Sequence, residues 1–265
     1  MNNSPRALLR RSSNSRFRGF TLIELLAVIV VVGILAALLL PALNAARKSA
    51  NGAKQISQFR TISGGAMTMA ADRGGLLDLN YSVNGVYKYG ETLCGQLWDR
   101  KYVTGDVANL FISPFIDADL RNKAAQQPWG NWRYYSYGVI SCANTNSTNP
   151  AVFYASGPGA ANPSMGRGCG VRLPALDRPA NYILLVDSVG GGKNTPHNRR
   201  HGSWVALLNG GDEYIPVSRD GRTVTCLMAD GHVEQASYER FKSCLKENFS
   251  RPITVANPDG STARL

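Results

Sequence analysis

A single carboxylate, Glu24, lies one helical turn inside an otherwise apolar run from Phe20 to Leu40, directly after Arg18-Gly19-Phe20. A charge at the centre of a membrane span costs roughly 2.5–3.5 kcal/mol, and less near an interface. Glu24 must therefore either snorkel to the headgroups or meet an opposite charge. The other groups with chemical potential are scattered. His197, His201, His232, Asp187 and Asp230 include the ligand types of a metal site. The two histidines of "HNRRH" lie between Pro196 and Gly202, which argue for loop rather than helix, and no HExxH spacing occurs. No metal and no cofactor is expected. Asp230-Gly231 reads instead as a turn, with His232 opening a strand. "SVGGGKNTPHNRRHGS" is Gly-rich and basic, but Asp187 stands where a phosphate loop needs its first glycine and Asn194 where it needs Ser or Thr. No Gly-x-Ser-x-Gly elbow is present to seat a nucleophile.

The elements that must position these groups begin with the apolar run. About 21 residues at 1.5 Å each span roughly 31 Å, the thickness of a bilayer core. Arg6, Arg10, Arg11, Arg16 and Arg18 precede it, with no acid or lysine in residues 1–19. That asymmetry places the N-terminal side in the cytoplasm and the rest of the chain outside. It also accounts for much of the formal charge of +11: without the leader, 24 basic residues face 18 acidic ones, a net of +6. Nucleic acid is accordingly an unlikely partner, with Lys193, Arg199 and Arg200 as the residues for that minor alternative. The span is longer than a secretory signal core, although "ALNAA" resembles a cleavage site. Arg10-Arg11 stands too far ahead of it for a twin-arginine signal, and a plain signal anchor leaves Glu24 unexplained.

Past Pro41 the text stays helical. Leu43, Ala46, Ala50, Ala53, Ile56, Phe59, Ile62, Ala66 and Met69 recur every three or four residues, an amphipathic stripe that packs on the chain's own domain from Ile56 onward. Gly33, Pro41, Gly52 and Gly64-Gly65 predict bending or local melting, and Gly74-Gly75 predicts the stop. In "LWDRKYVTGDVANLFISPFID" a short helix or extended run leads through a Thr-Gly-Asp turn to a strand broken by Pro114. "QQPWGNWRYYSYGVISC" reads as an aromatic hairpin filling a small core, or else as a sugar or peptide platform. "ANYILLVDSV", "GSWVALLN", "EYIPVS", "RTVTCLM" and "HVEQAS" read as strands separated by Gly-Asp and Asp-Gly turns. They predict an antiparallel meander with Val224, Cys226 and Met228 on one face. "YERFKSCLKENF" is a short helix and residues 251–265 a loose tail. The fold class is α+β: a long N-terminal helix, membrane-spanning over 20–40 and exported over 41–73, packed on a β-meander domain over 74–250.

Five cysteines, Cys94, Cys142, Cys169, Cys226 and Cys244, fall in the exported, oxidising part. Cys142–Cys169 would close the long polar loop and Cys226–Cys244 would tie the last strand to the tail. The alternative for Cys226 is a buried free thiol.

"RGFTLIELLAVIVVVGILAALLLPAL" resembles the N-terminal signature of type IV prepilins and of the pseudopilins of type II secretion systems. The resemblance implies cleavage by a prepilin peptidase between Gly19 and Phe20, N-methylation of Phe20, and a role for Glu24 in assembly. Gly33 and Pro41 match the family's helix glycine and membrane-exit proline. It also implies a neighbouring subunit whose Phe20 α-amine pairs with Glu24. Such charges about 4 Å apart attract by about 4 kcal/mol at an effective dielectric near 20, before desolvation. The implied partners are sibling subunits in a homo- or hetero-oligomeric filament and an inner-membrane assembly platform.

The downstream blocks "YYSYG", "NYILLVDS", "RHG" and "ADGHVE" are similar to prepilin-like proteins with a His then Asp-Gly-His signature. His201, Asp230, Gly231 and His232 carry that likeness as structural positions. Two departures stand out: His201 and Asp230 enclose 28 residues, far more than usual in that group, and Ser113-Pro114 replaces an expected Cys-Pro. The expectation is a non-enzymatic structural subunit of a pilus-like filament. A minor subunit binding secreted cargo, polysaccharide or DNA is the alternative, and a membrane-anchored periplasmic enzyme the third reading.

Overall fold

The structure, a computed structural model, describes residues 20–80, 92–126, 137–140, 149–155, 168–190, 205–206, 214–248, 254–257, 259 and 261–264. The chain divides into two compact units, Met1–Ser49 and Ala50–Leu265. Helix α1, Leu22–Asp72, contributes to both. It is helical without interruption through Gly33, Pro41, Gly52 and Gly64-Gly65, so the expected melting does not occur there. Pro41 removes one backbone donor, and the turns around it keep their helical geometry.

Within the first unit every described residue is exposed, including Leu22, Leu38 and Leu39. This is the stretch long and apolar enough to cross a membrane. A bare apolar surface of that length is stable only against lipid or other apolar helices.

In the second unit, α1 from Ala50 onward is a core element. It buries Gln55, Gln58, Phe59, Ile62, Ser63, Gly65, Ala66, Met69 and Ala70. Phe59, Ile62, Ala66 and Met69 follow the expected stripe, whereas Ala53 on that stripe is exposed and Gln55 and Gln58 are buried in its place. The helix stops at Asp72, where Gly74 and Gly75 take positive φ and Gly75 N–H donates back to Ala70 O at 2.8 Å, a helix end that glycine makes cheap.

Strand β1, Leu76–Asn80, pairs antiparallel with β4, Gly168–Arg172, which also pairs with β3, Val152–Ala155. Three short helices follow β1: α2, Leu93–Asp99; α3, Val107–Leu110; and α4, Ala118–Gln126. The strand expected before Pro114 is thus absent. Asp106, read as part of a turn, caps α3 by accepting from Asn109 N–H at 3.1 Å.

The principal sheet has five strands in the order β10-β9-β5-β2-β7: β2 is Gly138–Ile140, β5 Ile183–Val186, β7 Val205–Ala206, β9 Thr223–Met228 and β10 Val233–Ser237. The β9–β10 hairpin has the register Val233 opposite Leu227 and Ser237 opposite Thr223. The sheet departs from a pure meander where β2 runs parallel to β7. A two-stranded sheet joins β6, Ser188–Gly190, to β8, Tyr214–Pro216.

Strand β9 is buried from Val224 to Met228 without alternation, rather than on one face. Thr225 meets α1, and helix α5, Tyr238–Asn248, packs on β9 and β10. A strand covered on both sides reads as a continuous apolar run. The described part of the tail is not loose: β11, Thr254–Ala256, pairs with β12, Thr262–Arg264, and Val255 and Ala256 are fully buried. Ser218 N–H donates to Ala256 O at 2.8 Å, which ties this hairpin to the domain.

Cys94, Cys226 and Cys244 are free, buried thiols. The expected Cys226–Cys244 bond is therefore not formed. Cys244 sits instead in the packed face of α5 beside Phe241 and Leu245, which makes by apolar contact the link that the bond would have made. Burial pushes the Cys94 thiol up to about 12 and the Cys226 thiol well above its ordinary value, so both are inert at neutral pH. Cys142 lies outside the described residues. Cys169 has its backbone in β4, opposite Asn80 and Tyr154, and its side chain also lies outside.

Candidate functional site

Two constellations deserve the name of site, and each is described within its own unit. The first is the start of α1. Phe20 and Thr21 precede the helix, and Phe20 is 80% exposed. Thr21 Oγ1 accepts from Glu24 N–H at 3.3 Å, while a Glu24 carboxylate oxygen accepts from Thr21 N–H and from Thr21 Oγ1, both at 2.8 Å. Leu25 N–H donates to Thr21 O at 3.2 Å. This is a reciprocal capping box, Thr-x-x-Glu, which satisfies backbone donors that an α-helix leaves open. Glu24 thus has partners in its own chain, a role the expectation of an uncompensated acid did not include. The spacing Thr21–Glu24 was the available signal. One carboxylate oxygen takes both Thr21 donations, and the other has no hydrogen-bond partner among the described residues. Gly19 lies outside the described residues. Gly33 and Pro41 sit within the exposed helix, and a Cβ at Gly33 would meet nothing within 4 Å.

The second constellation seats α1 on its domain. Asp187, between β5 and β6, is 1% exposed. Its carboxylate accepts from Arg219 Nε at 2.7 Å and Arg219 Nη2 at 2.9 Å, a bidentate pair. Gln55 Nε2 on α1 donates to Asp187 Oδ2 at 2.5 Å, and Thr225 Oγ1 on β9 donates to Gln55 Oε1 at 2.8 Å. The Arg219 guanidinium also lies 5.6 Å from the Phe115 ring centroid, within cation–π range. One turn on, Gln58 Nε2 donates to Asn109 O and Ile112 O, each at 3.0 Å, and Gln58 Oε1 accepts from the Tyr137 hydroxyl. Burial, then the Asp187 charge, holds the Tyr137 phenol well above its ordinary value, so Tyr137 stays a donor at every physiological pH.

The Asp-Gly-His turn completes this seat. Gly231 has φ +92, and a Cβ there would stand 3.2 Å from Met67 Cγ and 3.3 Å from Ser63 Oγ. Ser63 Oγ donates to Gly231 O at 2.5 Å. Asp230 Oδ1 accepts from His232 N–H at 3.1 Å and lies 2.6 Å from His232 Nδ1. The positive φ favours glycine at Gly231, and a side chain there would also crowd Met67 and Ser63 on α1. Asp230 shapes the turn, and His232 braces Asp230.

Of the residues singled out as possible ligands, the structure gives Asp187 an arginine and Asp230 its own turn. His197 and His201 lie outside the described residues. Among the described residues no group of three or more His, Cys, Asp or Glu could hold a metal ion. Gln55, Gln58, Ser63 and Arg219 were not foreseen: a periodicity search counts apolar residues, the first three occupy inward positions of α1 beside Phe59 and Ile62, and Arg219 lies in a loop.

With this geometry in view, the family model described as Prokaryotic N-terminal methylation motif matches residues 14–40. That match spans the end of the basic N-terminal stretch, the capping box and the apolar run, and supports a pilin-like or pseudopilin subunit with an N-terminal membrane anchor. No curated protein and no solved structure matches the chain.

Proposed function

We propose that this protein is a structural, non-enzymatic subunit of a type II secretion pseudopilus or a type IV pilus-like filament. A prepilin peptidase cuts between Gly19 and Phe20 and methylates the Phe20 nitrogen. The chain then rests in the inner membrane with its N-terminus on the cytoplasmic side and residues 50–265 on the far side. Assembly uses the helix: the Phe20 α-amine of one subunit pairs with Glu24 of another, on a membrane platform and among sibling subunits.

One observation carries this reading: the methylation motif at 14–40 overlaps the start of a long apolar helix at Leu22. Because Phe20 and Thr21 precede the helix, the Gly19–Phe20 bond falls before its first turn in sequence. The capping box also refines the assembly step. Glu24 enters assembly already hydrogen-bonded to Thr21, so pairing adds an ionic partner at its free oxygen and does not rescue an orphaned charge.

Mass spectrometry of the N-terminus, combined with crosslinking in native membranes, tests the reading. The expected mature chain begins at N-methylated Phe20 and crosslinks helix to helix with itself or with sibling subunits. A chain that keeps its first nineteen residues at the membrane, or one trimmed beyond Pro41, refutes it. Glu24→Leu should be inserted and cut normally yet fail to assemble.

A further inference from the structure

Four residues beyond Leu43, the last large apolar side chain of the exposed stretch, come Arg47 and Lys48. Both are exposed. Neither has a hydrogen bond or ion pair among the described residues, and no acid occurs between Glu24 and Asp72 to pair with them along the helix. The next cation, Lys54, differs: its Nζ donates to Asn109 Oδ1 at 2.7 Å.

Their position along α1 is informative. Phe20 to Leu43 is 24 residues, about 36 Å, which fills a hydrocarbon core of about 30 Å with modest tilt. Arg47 then stands about 6 Å further on, one helical turn, within the headgroup layer opposite the leader. Processing sharpens the consequence. The leader's five arginines leave with residues 1–19. What remains on that side, the Phe20 α-amine and Glu24, sums to zero. Arg47 and Lys48 become the net charge flanking the span.

We propose that Arg47 and Lys48 form a binding collar for the phosphates of the far-leaflet lipid headgroups, and that this collar replaces the leader arginines as the electrostatic anchor of the processed chain. The guanidinium can take a phosphate in bidentate fashion, and the ammonium acts as a point charge beside it. Their aliphatic stems lie along the apolar surface while the heads stay at the phosphates. This proposal rests on the membrane and processing reading given above.

The test uses the full processed chain, isotopically labelled at Arg and Lys side-chain nitrogens, in phosphatidylethanolamine/phosphatidylglycerol vesicles. Protease protection first reports insertion. Nitrogen–phosphorus dipolar dephasing then reports contact, with Arg47→Gln/Lys48→Gln as the reference. The expected result is dephasing in the parent, most of it lost in the double variant, together with a several-fold higher release of the variant by alkaline extraction. Arg47→Lys should restore retention. Equal dephasing in parent and variant, with both inserted, overturns the collar and leaves the membrane reading intact. A parent that does not insert overturns both. Carbodiimide crosslinks from Lys48 to a carboxylate of a second copy, without phosphorus contact, overturn the collar in favour of a protein partner.

Discussion

Helix α1 is two helices in physical terms. Up to Ser49 it presents large apolar side chains outward and holds its polar chemistry at its two ends, in the Thr21–Glu24 box and at Arg47 and Lys48. From Ala50 it turns polar side chains inward, with Gln55 and Gln58 at most 3% exposed, and shows Ser57, Arg60 and Thr61 to solvent. The first segment specifies nothing by hydrogen bonding along its length, so it can slide and rotate among lipids and apolar neighbours. The second is fixed in rotation and height by directional bonds to Asp187, Thr225, Tyr137, Asn109, Ile112 and Gly231. A greasy stripe alone would tolerate a shift along the helix, whereas these bonds do not, which is the specificity that buried polar groups can supply.

The sharpest way to break that contrast is to strip Asp187 of its counter-charge. Arg219→Leu leaves a nearly inaccessible carboxylate with Gln55 as its one side-chain donor among the described residues, and should cost about 3–5 kcal/mol. Urea unfolding of the full chain in detergent checks this. Asp187→Leu combined with Arg219→Leu should recover much of the loss, because a missing pair is cheaper than a half pair. If the single and double variants are equally destabilised, the pair is not what holds the seat.

Gly231→Ala should be the next largest effect. It forces an L side chain to φ +92 and drives a methyl toward Met67 and Ser63, at about 1–3 kcal/mol. Pairing it with Met67→Ala separates the causes: the second change relieves crowding but not backbone strain. Gln58→Leu removes the acceptor of the Tyr137 hydroxyl and two donated bonds, leaving that hydroxyl with Ser113, and should cost about 1–3 kcal/mol. The same variant should raise amide exchange in α1 from Ala50 to Asp72 and leave the apolar segment unchanged.

These polar residues mark the boundary of what a single sequence discloses. The helix start and stop, the β9–β10 hairpin at Asp230-Gly231 and the α+β class were legible, because capping, glycine and apolar periodicity act over neighbouring residues. The seat was not. Gln55 and Asp187 are 132 residues apart, and nothing local in either marks its partner. Burial of both faces of β9 was hidden for the same reason, since α5 supplies the second cover. Continuity through Pro41 and the interior glycines went against local propensity, a weak prior that tertiary and environmental context overrides.

Acid should loosen the seat from one side. Burial tends to raise the Asp220 carboxyl, but donation from the Thr223 and Arg222 N–H groups, with Thr223 and Ser218 hydroxyls, outweighs it and leaves the value depressed. A depressed acid adds stability above its unfolded value, about pH 3.9 for Asp, and loses it as the pH falls through the folded value. Asp220→Asn should therefore flatten the acid limb of a Tm–pH profile and leave the limb above neutrality in place. The loop it shapes carries Arg219, so hydrogen exchange at the Asp187 N–H, which donates to the Thr225 carbonyl at 3.2 Å, should rise with the same acid dependence.

The smallest expected effect probes the other segment. Thr21→Val removes the hydroxyl that both donates to Glu24 and caps its N–H, at about 1 kcal/mol of helix stability. The folded domain should not register it, because that domain buries none of these atoms. The variant separates two roles of Glu24 that Glu24→Leu confounds: it keeps the acid for an α-amine partner and removes much of its hold on its own chain. If the acid's capping and pairing roles are independent, Thr21→Val subunits assemble while their first helical turn frays, seen as faster exchange at Glu24 and Leu25. If assembly fails as completely as in Glu24→Leu, the carboxylate must be held by its own threonine before it can accept a neighbour, and the two segments differ less than their surfaces imply: each would depend on a polar group fixed in advance.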